Sequence, residues 1–178
     1  QQAFQKALDL HKENRSSLGA LAIARNNMAF VFHTTGRYRE AWEQNRLALE
    51  HVRNTKYLRA SIGLLVAKGD ILRDLDELDE AEQAYKAAIQ ISQQSDENIG
   101  VDSAYMGLAE VERSRGNFSA AVSHLNTGLS LEGSILTKDK YDLLQALIFK
   151  DMGQGDLALD KANSVLQNFE DGETVSAD

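Results

Sequence analysis

Alanines at positions 41, 81 and 121 stand forty residues apart, in "GRYREAWEQN", "LDELDEAEQAY" and "RGNFSAAVSHL". A fixed period of this length restricts the chain to stacked copies of one small unit, because each copy buries its apolar face only against its neighbours. Other columns keep the same step. Gly36, Asp76 and Gly116 fall together, as do Tyr38, Leu78 and Phe118, and likewise Val31, Ile71 and Val111. Leu49, Ile89 and Leu129 follow, and Ala29, Gly69 and Ala109 form a column of small residues. A fourth copy, "KDMGQGDLALDKANSVLQ", enters after a step of 37 with Ala158, Ile148 and Leu166 in register.

Each copy carries two stretches with apolar residues at helical spacing, such as Met28, Val31 and Phe32 in one and Ala81, Tyr85, Ala88 and Ile89 in another. The unit is therefore expected to be a helix, a tight turn and a second helix. Small residues at 29, 69 and 109 and at 41, 81 and 121 suit places where two helix backbones approach closely. Proline is absent from all 178 residues. A helix interior excludes proline at about 3 kcal/mol, so its absence fits a chain that is nearly all helix.

Composition narrows the function classes. With no cysteine there is no disulfide, thiolate metal site or thiol nucleophile, and a reducing cytoplasm is the expected setting. The formal charge of −8 disfavours direct contact with nucleic acid or an anionic membrane. No apolar run approaches the length of roughly 18 residues that a membrane helix needs. His11, His33, His51 and His124 form no His-Glu-x-x-His arrangement, so no metal is expected. "GQGD" at 153–156 falls on the turn column, and "LRDLDELDEAE" at 72–82 lacks the calcium-loop order, its acids suiting a helix start. No catalytic constellation emerges; neither an enzyme nor a cofactor is expected.

These columns resemble the tetratricopeptide repeat family. Its second-helix alanines are matched by Ala41, Ala81, Ala121 and Ala158, and its aromatic position by Tyr85, with Leu125, Asn45 and Ala162 in the other copies. The family's Leu-Gly pair becomes Met28-Ala29, Lys68-Gly69, Leu108-Ala109 and Gln145-Ala146; its tryptophan and closing proline are missing. The forty-residue form is similar to the repeats of maltose-regulator-like bacterial transcriptional activators and of kinesin light chains. What the resemblance implies is an all-α, right-handed solenoid of stacked antiparallel helix pairs over residues 1–169. Four repeats are expected near 22–61, 62–101, 102–138 and 139–169, preceded by a half repeat at 1–14. That half repeat suggests a segment cut from a longer protein. The last helix, 155–168, is expected to turn Asp160, Ser164 and Gln167 outward as a polar cap, and 170–178 to be a disordered acidic tail.

The family's concave surface is lined by first helices. Carried onto this chain, that implies groove positions Ile23, Asn26, Asn27, Phe30 and His33; Gly63, Val66, Asp70, Arg73 and Asp74; Ser103, Met106, Glu110 and Arg113; and Lys140, Leu147 and Lys150. The column His33, Arg73, Arg113 and Lys150 reads as a basic ladder suited to an acidic peptide or carboxylate. Asp70 three before Arg73, and Glu110 three before Arg113, equally suit ion pairs within one helix. The chaperone-type carboxylate clamp is not matched, since its positions hold Asn26, Phe30, Ala67, Ser103 and Gly107. Trp42 is read as packing between second helices or as covering the missing upstream partner, with a binding hot spot as the other reading. The function implied is a non-catalytic scaffold for a protein or peptide, or for another domain of its parent chain. An effector-sensing or autoinhibitory segment of a bacterial transcriptional activator is the alternative.

Overall fold

The computed structural model describes residues 18–53, 58–95, 100–131 and 138–175. All of its regular structure is helical. The order is α1 (Leu18–Thr34), α2 (Tyr38–Val52), α3 (Leu58–Asp74), α4 (Leu78–Ser95), α5 (Val101–Ser114), α6 (Phe118–Leu129), α7 (Lys138–Asp151) and α8 (Gly155–Val175). The expected half repeat at 1–14 lies outside the described residues. Helical backbone runs to Val175, through 170–175 of the stretch expected as a disordered tail.

Four turns share one geometry, and the sequence explains it. Gly36, Asp76, Gly116 and Gly153 all adopt a positive φ, between 65° and 79°. The residue after each donates its N–H five residues back: Arg37 to Phe32, Glu77 to Leu72, Asn117 to Glu112 and Gln154 to Phe149, at 2.8–2.9 Å. With the turn residue's own N–H bonding three back, this is the left-handed cap that closes a helix and satisfies its last carbonyls. The next helix starts at once. Ala41, Ala81, Ala121 and Ala158 each donate to the residue four before, so the alanine column sits in the first turn of every second helix.

Ala41, Ala81 and Ala121 are fully buried, as are Ala48 and Ala88, and Ala29 and Ala109 are buried on the facing first helices. Close helix pairing explains why no larger residue stands there. The pairs are α1 with α2, α3 with α4, α5 with α6 and α7 with α8. Each second helix also packs on the following first helix, and first helices touch one another along the stack, α1 with α3, α3 with α5 and α5 with α7. The first helices thus form one continuous wall.

The central cluster joins Ile62 and Leu72 of α3, Tyr85 and Ile89 of α4, and Val101, Leu108 and Val111 of α5, so the second and third pairs share a core. Trp42 packs against this cluster and against the one around Ala29, Phe32 and Ile71, with the Lys68 ammonium 5.4 Å from its ring centre. That is the expected packing role. Along α8, Asp160 and Gln167 are exposed as expected and Val165 is buried, but Leu157, Leu159 and Leu166 are exposed as well.

Candidate functional site: the groove along the first helices

Three successive first helices turn side chains into one groove, with a cavity volume of about 340 Å³. From α1 come Asn26, Phe30 and His33, from α3 Asp70 and Arg73, and from α5 Met106 and Glu110. Small residues Ala29 and Ala67 leave the floor open between them. Seven of the seventeen expected groove positions therefore converge. They do so because positions three or four apart on each helix share a face, and because the forty-residue step puts equivalent faces side by side. Phe30 is 66% exposed, an apolar surface turned to solvent at the mouth. Asn27 is also exposed but does not line this cavity, and Arg113 and Lys150 lie further along the wall.

The basic column is not a free ladder. Each member stands in the last turn of its helix, where the backbone's negative end favours a cation. Most are then taken by acids from the next repeat. His33 meets Asp74 at 2.9 Å, and Arg113 meets Asp151 at 2.7 Å. Arg73 reaches Glu110 on α5 at 2.5 Å, besides Asp70 at 3.5 Å and Asp74 at 3.1 Å on its own helix. Of the two pairings expected within one helix, Asp70 with Arg73 is present. Glu110 and Arg113 instead each bond across the stack.

Tyr85 holds the floor of this cluster. Its ring passes between α3 and α5 at Gly69 and Gly107, where a Cβ on either glycine would overlap it. Its hydroxyl donates to Asp70 Oδ1 at 2.7 Å and accepts from Arg73 at 3.4 Å. Loss of solvent raises the Asp70 carboxyl above its ordinary pKa against the pull of Tyr85 and Arg73, and Glu110 is raised for the same reason. Burial alone would lower the Arg73 guanidinium, but the groups around it, Tyr85, Glu110, Asp70 and Asp74, raise it. Sequence reading placed Tyr85 only as a packing aromatic. Its hydroxyl was invisible there because Asp70 lies fifteen residues away on another helix.

A second, smaller chamber of about 140 Å³ adjoins the groove and shares Asn26 with it. Its walls are Ala22, Ile23, Ala60, Gly63 and Leu64, all without charge. Among the described residues no group of three or more histidines and carboxylates is placed to hold a metal, and no helix is long and apolar enough to cross a membrane.

Residues 61–131, the second and third helix pairs, match the family model described as tetratricopeptide repeat. These are tetratricopeptide repeats. The tetratricopeptide repeat domain of Arabidopsis FLU superposes with a TM-score of 0.60 at 19% identity, over 64% of this chain and 95% of that one. The Rap conjugation gene regulator of plasmid pLS20, solved in complex with the Phr* peptide, gives 0.78 at 15% identity, over 94% of this chain and 48% of the regulator. A kinesin light chain with nearly identical TPR-like repeats from Podosopora anserina gives 0.67 at 12% identity, over 93% and 85%. At such identities the likeness is one of fold. No curated protein sequence matches the chain.

Proposed function

We propose that this tetratricopeptide repeat array is a non-catalytic scaffold that binds a protein or peptide segment along the concave wall of α1, α3 and α5. The observation that carries this reading is the convergence of Asn26, Phe30, His33, Asp70, Arg73, Met106 and Glu110 from three repeats into one open groove. An exposed phenylalanine beside polar groups with fixed partners is the composition of a recognition surface, which needs apolar contact area and a few placed polar groups. Asn26, at the junction of the two chambers, is positioned to bond the backbone of an extended chain.

We further propose that the scaffold serves a larger signalling or regulatory protein. The pLS20 Rap regulator, of the same fold, was solved with a peptide, which supports a peptide as the class of ligand. A thermal-shift screen of the chain against peptide and metabolite libraries separates scaffold from effector sensor. Stabilisation by peptides is expected, since a ligand bound only by the folded state raises the melting temperature. Stabilisation by metabolites with no response to any peptide overturns the scaffold reading in favour of effector sensing.

A further inference from the structure

We propose, on the reading that the concave groove is the binding surface, that it takes an extended peptide carrying an aliphatic side chain and, two residues away, a lysine or arginine. A basic ladder would have called for an acidic ligand. The charge inside the groove has the opposite sign.

Arg73 is a single guanidinium facing three carboxylates, Asp70, Asp74 and Glu110. His33, the other basic group of this bay, already bonds Asp74. The cluster therefore carries a net charge of −2 with His33 neutral and −1 with it protonated. An incoming carboxylate would have to displace these internal acids from Arg73. An incoming cation meets acids that outnumber their partners, in a concave wall where solvent screens them less than at an open surface.

The neighbouring chamber is uncharged and bounded by Ile23, Leu64 and Gly63, with room for one aliphatic side chain. Gly63 supplies that room, since a Cβ there would meet nothing within 4 Å. In an extended chain, residues two apart project to the same side at a separation of about 7 Å. One side chain then enters the small chamber, and the long apolar stem of a lysine or arginine crosses Phe30 and brings its charge to Glu110 and Asp70.

The test uses three pools of fluorescein-labelled octapeptides, with Leu-Xaa-Lys, Leu-Xaa-Gln or Leu-Xaa-Glu fixed at the centre and all other positions randomised, read by fluorescence anisotropy. The lysine pool is expected to bind best and the glutamate pool worst. Glu110→Gln is expected to weaken the lysine pool roughly tenfold, the effect of losing one charge-assisted contact, while leaving the glutamine pool unchanged. Gly63→Leu puts a side chain on the chamber wall, where a Cβ meets nothing within 4 Å, and is expected to abolish binding of every pool; its melting temperature, and that of Glu110→Gln, serve as folding controls. Equal binding of the lysine and glutamine pools, or preference for glutamate, overturns the cationic specificity and leaves the groove reading standing. Binding of no pool, or binding indifferent to Gly63→Leu, removes the groove reading itself and the specificity with it.

Discussion

Tyr85 and Gly69 make one steric unit at the scale of single residues, and the other copies show how its size is balanced. Where the second helix carries Tyr85, the first-helix residue against its ring is Gly69; in the copies with Leu125 or Asn45, the position equivalent to Gly69 holds Ala109 or Ala29. Gly69→Ala alone is expected to destabilise the fold by about 1–3 kcal/mol through overlap with the tyrosine ring. In a Tyr85→Leu background the same change should be neutral or stabilising by up to about 1 kcal/mol, since alanine is the better helix former. Denaturant unfolding of the four proteins in this cycle measures the coupling; additive effects would contradict the packing described. The glycine and the aromatic were legible as columns forty residues apart. Their contact was not, because periodicity identifies equivalent positions in different copies, whereas packing joins inequivalent ones.

Turn and helix are the next scale, and here one position departs from its column. Asp76 stands where Gly36, Gly116 and Gly153 stand elsewhere, and it holds the same left-handed backbone with φ 65°. A side chain in that region costs roughly 1–2 kcal/mol, less for aspartate than for most residues. Asp76→Gly is therefore expected to raise stability by about 0.5–1 kcal/mol, visible as a higher urea midpoint with unchanged slope. The turn column was readable because glycine recurs at the spacing a helix end demands. The basic column was readable as a pattern, but the acids that pair with it were not. His33, Arg73, Arg113 and Lys150 occupy helix C-termini, a local reason for positive charge, and their acidic partners come mostly from the following repeat.

Across the whole molecule these inter-repeat pairs differ in what they hold. Arg113 and Asp151 are 29% and 35% exposed, so Arg113→Ala is expected to cost at most about 1 kcal/mol. Arg73 is 21% exposed and is shared by three carboxylates at the join of the second and third repeats. Arg73→Met is expected to cost roughly 1–3 kcal/mol, because it leaves three partly exposed carboxylates without the cation they share. Thermal melts of the two variants decide this, and equal losses would contradict the difference in the number of carboxylates each cation serves. Trp42, the single tryptophan of the chain, lies where α2 meets the core of the following repeats, under the Lys68 ammonium. Its emission is therefore an optical gauge of one seam: parting of the first repeat from the second changes its colour and quenching even while circular dichroism still records intact helices.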